Sequence, residues 1–271
     1  MENIPYGDHI RQTMDISLPP DTGQENRATI AFCVHGGGWS IENGDKKDFE
    51  GDGTKQIVNA NNLAYVSINY RVVEDGATYK EMLDDIHAAI TYLKNNSNTY
   101  HVKTDKMFIL GRSAGGHLGL LYTYSRSSPI KIACIASMTG PTDFLDPDQI
   151  ALNRTNNAFH FINKLLGTET TMLQIENPEF LFPVSWYDAS PVYHVNKNTV
   201  PTVLAYGAKD DLVSYNNAVR LNNILREYGI PHSLVAFSNS GHEMDKDPEQ
   251  FQQYCATVLQ FLNDYLFNDN N

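Results

Sequence analysis

KMFILGRSAGGHL, residues 106–118, sets a short apolar run directly before Gly-x-Ser-x-Gly and a further glycine. The run reads as a buried strand, and the small residues on either side of Ser113 allow a sharp turn from strand into helix with the serine at a strained apex. A serine hydroxyl is barely nucleophilic at neutral pH. It needs a base within hydrogen-bond reach, an acid to orient that base, and donors for the oxyanion formed on attack. A phosphate-binding turn would carry Gly-x-Gly-x-x-Gly or end in Lys-Ser/Thr, and neither is present.

Outward from this turn, TIAFCV (29–34), LAYVSI (63–68), KIACIASM (131–138), TVLAY (202–206) and SLVAF (233–237) supply further apolar runs. Runs of this kind belong to a parallel sheet covered on both faces. Met14, Ile16 and Leu18 alternate instead, as in a half-exposed edge strand. Helical spacing joins Met82, Ile86, Ala89, Ile90 and Leu93, and again Ala218, Leu221, Leu225 and Tyr228. A last helix is expected to start at Asp247-Pro248 and to bury Phe251, Cys255, Val258 and Leu262. The alternation predicts an α/β fold over residues 1–271 as one domain, with a mostly parallel central sheet and helices on both faces. Residues 145–188 break the rhythm and read as a small cap insertion over the site.

The formal charge of −12 argues against nucleic acid and anionic membrane as partners, and a neutral small molecule is expected instead. Three scattered cysteines, Cys33, Cys134 and Cys255, read as buried thiols and neither as a disulfide framework nor as a metal site. The N-terminal stretch lacks a basic start and an apolar core, and no segment reaches 18 apolar residues, which predicts a soluble cytoplasmic protein. A homodimer is left open, because a final helix or edge strand can pair without a sequence signature.

In a parallel sheet, ligands bind beyond the carboxyl ends of the strands. His35–Gly38, Ser113, Asp210 with Asp211, and His242 all follow strand runs. His242, in the polar loop NSGHEMDK between the last strand and the last helix, is the expected base; His117, one turn beyond Ser113, is expected to point into packing. Asp210 and Asp211 of GAKDDLV and Asp143 of GPTDF are all candidates for the acid. The HGGGW loop, 35–39, can aim the N–H groups of Gly37 and Gly38 at an oxyanion, joined by that of Ala114, with His35 bracing the loop. Phe159, Phe161, Phe180, Phe182, Trp186 and Tyr187 read equally as an acyl pocket or as the insertion's own core.

These motifs resemble the α/β-hydrolase superfamily, within its esterase/lipase group related to hormone-sensitive lipase and to bacterial acetyl and feruloyl carbohydrate esterases. Segments such as SINYR (67–71), MLDDIHAAITYLK (82–94) and ASPVYHV (189–195) extend the resemblance over nearly the whole chain. It implies the α/β-hydrolase fold and a serine carboxylic-ester hydrolase for short-chain acyl or acetyl esters, working through an acyl-enzyme without metal or other cofactor. It also implies Ser113 as nucleophile, His242 as base, Asp210 as acid through Gly207-x-x-Asp-x-x-Val213, and Gly37, Gly38 and Ala114 as the oxyanion hole. Two departures bear on substrate: few residues of the sequence precede the first central strand, where these relatives carry a long cap, and Asn69-Tyr70-Arg71 continues as Val-Val-Glu-Asp in place of Leu-Ala-Pro-Glu. Arylformamidases share the glycine loop and the elbow, which adds N-formyl amides as an alternative, and a non-catalytic ligand-binding hydrolase fold is the other.

Overall fold

In the computed structural model, which describes residues 1–40, 44–48, 57–58 and 61–268, eight strands form one sheet in the order β1-β2-β4-β3-β5-β6-β7-β8. β1 (Ile4–Pro5) pairs antiparallel with β2 (Thr13–Ser17), and β2 antiparallel with β4. β3 (Ala28–Val34), β4 (Leu63–Ile68), β5 (Val102–Arg112), β6 (Lys131–Met138), β7 (Thr202–Gly207) and β8 (His232–Phe237) are parallel to one another. A mostly parallel sheet in this order, covered by helices on both faces, is an α/β architecture.

Successive residues of each central strand enter opposite cores, which is why these strands are apolar without alternation. Ile30, Phe32 and Val34 join one cluster while Ala31 and Cys33 join the other. On the first face lie α1 (Tyr79–Asn95), followed by the short α2 (Ser97–Tyr100), and α3 (Ala114–Ser125), which is buried almost all round. Residues 145–188 carry no strand and hold α4 (Pro147–Thr155), α5 (Phe159–Leu166), α6 (Met172–Ile175) and α7 (Val184–Asp188). α8 (Tyr215–Glu227) returns to the first face, and α9 (Pro248–Phe261) covers the second.

Three expectations need correction. β2 buries Met14 and Ile16 but is not the outermost strand, since β1 pairs along two positions of its open edge, and Leu18 lies past its end. Tyr228 is the exposed C-cap of α8 and adds nothing to its buried stripe of Ala218, Leu221 and Leu225. The stripe of α9 is centred on Tyr254, Val258 and Phe261, leaving Phe251 and Cys255 half-buried at its margin. Its N-cap is Asp247, although the carboxylate bonds elsewhere. The cysteines are unbridged, Cys33 and Cys134 fully buried, with burial pushing the Cys134 thiol up to about 12. Among the described residues no helix is long and apolar enough to cross a membrane.

Candidate active site

β5 ends at Arg112 and α3 begins at Ala114, so Ser113 alone makes the turn, with φ 51° and ψ −122°. A non-glycine residue held there costs about 1–3 kcal/mol and persists only when its surroundings fix it. Ser113 N–H donates to Met138 O at 2.7 Å, and its own carbonyl accepts from His117 N–H at 2.9 Å. The flanking glycines are a matter of space. A Cβ on Gly111 would stand 2.3 Å from the Gly115 carbonyl oxygen, and one on Gly115 only 2.0 Å from that of Val34.

His242 Nε2 lies 2.9 Å from Ser113 Oγ, and Nδ1 lies 2.8 Å from Asp210 Oδ2. A carboxylate only accepts, so Nδ1 carries the proton and Nε2 is the lone pair that faces the serine hydroxyl. The Asp210 side chain is wholly buried and that of His242 is 11% exposed. Asp210 Oδ1 accepts from Leu212 N–H at 2.8 Å and Val213 N–H at 2.9 Å, which aims Oδ2 at the ring.

Of the other two acid candidates, Asp211 is exposed. Asp143 is buried elsewhere, against Arg220 at 2.8 Å, with Oδ1 accepting from Leu145 N–H; burial pushes its carboxyl up. Sequence reasoning missed Asp247, which it read only as the start of the last helix. Its carboxylate accepts from Ser240 Oγ at 2.6 Å, Asn239 N–H at 2.9 Å and Asn239 Nδ2 at 2.8 Å, holding the loop that presents His242. The Ser240 hydrogen bond is the chief reason that this carboxyl sits below its ordinary range.

Across the cleft, Gly37 and Gly38 adopt φ 97° and 61°. A Cβ on Gly36 would press on Arg112 O at 3.1 Å and Ser113 Cβ at 3.2 Å, so the loop lies flat on the elbow. Among the described residues, the N–H groups of Gly37, Gly38 and Ala114 have no acceptor. His35 is buried and stacked on Tyr70 at 4.5 Å, and its Nδ1 bonds Gly36 O at 2.7 Å. Burial lowers its pKa to about 4, so it braces the loop as a neutral ring.

Ser113, His242, Gly37 and Gly38 line a cavity of about 660 Å³, roofed by α4 and α5 through Gln149, Asn153, Phe161 and Ile162. Ala114 is buried behind the serine. Of the insertion's aromatic residues only Phe161 reaches the cavity lining; Phe180, Phe182 and Trp186 pack on one another at 5.2 and 5.0 Å. An Arg112–Glu243 ion pair joins the sequence neighbours of Ser113 and His242 at the rim.

Gln149 was also missed: its Oε1 accepts from Ser214 N–H and Asn217 Nδ2, and its Nε2 donates to Leu212 O and Asn153 Oδ1. This amide bolts the insertion to the loop carrying Asp210. A glutamine inside an irregular segment gives no sequence signal of such a role.

Comparison with known proteins agrees with this architecture. LipM of Mycobacterium tuberculosis (strain ATCC 25618 / H37Rv), described as a probable carboxylic ester hydrolase, is 25% identical over 238 residues, covering 83% of this chain and 51% of LipM. Esterase LipQ of the same organism is 26% identical over 257 residues, covering 90% and 57%. The chain thus spans about half the length of these curated relatives. A truncated carbohydrate esterase from gut microbiota has the same fold, with a TM-score of 0.76 at 18% identity over 96% of this chain and 95% of that one. Inhibited esterase B from Lactobacillus rhamnosis gives 0.73 at 15% identity, over 96% and 85%. The BD-FAE family matches residues 14–225, a stretch that takes in the glycine loop, the elbow and Asp210 and stops short of His242. With that match over more than half of its length, the chain belongs to the BD-FAE family.

Proposed function

We propose that the protein is a serine carboxylic-ester hydrolase acting on short-chain acyl esters. The observation that carries this reading is the continuous hydrogen-bonded chain from Ser113 Oγ through His242 to buried Asp210, opening on a cavity edged by the glycine loop. Ser113 attacks the ester carbonyl as His242 Nε2 takes its proton, and Asp210 holds the ring in the tautomer that can do so. The oxyanion of the tetrahedral intermediate accepts from the N–H groups of Gly37, Gly38 and Ala114. His242 then protonates the departing alcohol, leaving Ser113 acylated; water repeats the cycle and releases the acid.

The relatives' descriptions as ester hydrolases support the reaction class. A cavity roofed by the insertion, with the glycine loop and amide side chains in its wall, suits small esters better than long acyl chains. The test is hydrolysis of 4-nitrophenyl acetate, butyrate and octanoate by the parent and Ser113→Ala. Turnover that declines with chain length and falls at least about 10,000-fold in the variant is expected. Turnover that survives the substitution would remove Ser113 as nucleophile. A parent inactive on every ester and active on an N-formyl anilide would replace the ester reading.

A further inference from the structure

We propose that His117, which is outside the Ser113–His242–Asp210 chain, is a positioning residue that holds the 36–39 loop against the elbow by accepting the Trp39 indole N–H; this rests on the ester-hydrolase reading above. Gly37, Gly38 and Trp39 are three consecutive residues at φ 97°, 61° and 60°. Glycine adopts such angles freely, whereas a residue as bulky as tryptophan does so only when something holds it. The backbone contributes Ser40 N–H to Gly37 O at 3.1 Å and Val73 N–H to Trp39 O at 3.0 Å. The side chain contributes a buried anchor: Trp39 Nε1 donates to His117 Nδ1 at 3.2 Å, the rings meeting edge-on at 5.3 Å and 86°.

The anchor is well specified. His117 Nε2 lies 2.7 Å from the Ala189 carbonyl, which only accepts, so Nε2 carries the proton and Nδ1 is bare. An indole N–H only donates and therefore matches Nδ1 alone. Phe144 packs against both rings, at 5.2 Å from His117 and 6.1 Å from Trp39. His117 is fully buried, and burial lowers its pKa to about 4, which keeps it a neutral acceptor. Because its backbone N–H bonds Ser113 O, the ring that fixes the loop stands on the same helical turn as the serine. The imidazole thereby adds a side-chain anchor to the two backbone bonds that hold the loop N–H groups near Ser113.

The experiment compares kcat and KM on 4-nitrophenyl acetate, inhibition by a trifluoromethyl ketone that adds to serine as an oxyanion, and melting temperature. The proteins are the parent, Trp39→Phe, His117→Leu, His117→Asn and the Trp39→Phe/His117→Leu double variant. Trp39→Phe and His117→Leu should each lower kcat about 10- to 100-fold with KM within about two-fold, and weaken the ketone by the same factor. The double variant should lose no more than the worse single one, because both remove one interaction. His117→Asn, whose amide oxygen stands near the place of Nδ1, should recover most of kcat.

Losses that multiply, a His117→Asn no better than His117→Leu, or a lowered melting temperature with kcat intact would overturn the proposal. If His117→Leu does not fold, Trp39→Phe and His117→Asn carry the comparison. A parent without Ser113-dependent turnover overturns the ester reading and this proposal together, whereas an active parent with unaffected variants overturns this one alone.

Discussion

Asp210 buries its side chain, accepts two backbone N–H groups on Oδ1 and meets His242 Nδ1 with Oδ2, while Asp211, its neighbour in sequence, faces solvent. Asp210→Asn is therefore expected to present an N–H where the ring needs an acceptor, favour the wrong tautomer and lower kcat by about 10,000-fold. Asp211→Asn should stay within about two-fold of the parent, as surface changes away from a site do. Steady-state kinetics on one activated ester separates the two, and the reverse pattern would move the acid by one residue. The dipeptide Asp-Asp carries no information about which carboxylate is buried; only the flanking Gly207 and Val213 pointed to the first. Asp247 was illegible for a related reason. Its place before Pro248 reads as a cap, and its partners Asn239 and Ser240 emerge only when the loop closes on itself. Asp247→Ala should reduce kcat about 10- to 100-fold by releasing the His242 loop, with circular dichroism unchanged.

β4 and β6 fall on LAYVSI and KIACIASM residue for residue, since burial on both faces leaves a near-continuous apolar run interrupted only by a serine, Ser67 or Ser137. Legibility declines where one face is wet or the element is short. β1 covers the edge of β2 with two residues, fewer than any periodicity can reveal, and α6 and α7 of the insertion, four and five residues long, are too brief for a pattern. α3 was legible at its start because its packing demands glycine, and that demand is measurable. A methyl on Gly115 would meet the Val34 and His35 carbonyl oxygens at 2.0 and 2.4 Å, backbone atoms that cannot yield without moving β3. One on Gly119, in the same helix, would meet only side-chain ends, Ile109 Cγ2 at 3.3 Å and Ile135 Cδ1 at 3.4 Å. Gly115→Ala is expected to cost about 3 kcal/mol or more, the upper range of overpacking. Gly119→Ala should lie within about 1 kcal/mol of the parent, as the helix propensity of alanine offsets the crowding. Urea unfolding of the two variants tests this, and equal midpoints would mean that β3 and α3 slide apart easily.

Two histidines buried without charge make the stability of the whole chain depend on pH. His35 and His117 are each lowered from 6.5 to about 4 by burial, one behind the glycine loop and one beneath the elbow. His35 Nε2 has no hydrogen-bond partner among the described residues, so a proton there would be an unpaired buried charge. A group whose folded value lies below its unfolded one binds protons more readily when unfolded. Its contribution is whole above about 6.5, shrinks as pH falls through the interval, and is lost below about 4. At pH 5.0 the unfolded rings are mostly charged and the folded ones are not, a difference of about 2 kcal/mol per ring and about 4 kcal/mol for both. Against a typical total of about 5–15 kcal/mol, that is a large share. Asp143, raised by burial, works in the opposite direction, so the histidine part is isolated by comparing the parent with His35→Gln/His117→Asn. Urea unfolding at pH 7.5 and 5.0 should show the parent losing about 4 kcal/mol more than the double variant. Equal losses in the two proteins would mean that both rings already take up protons in the folded state, and that the glycine loop and the elbow are open to water.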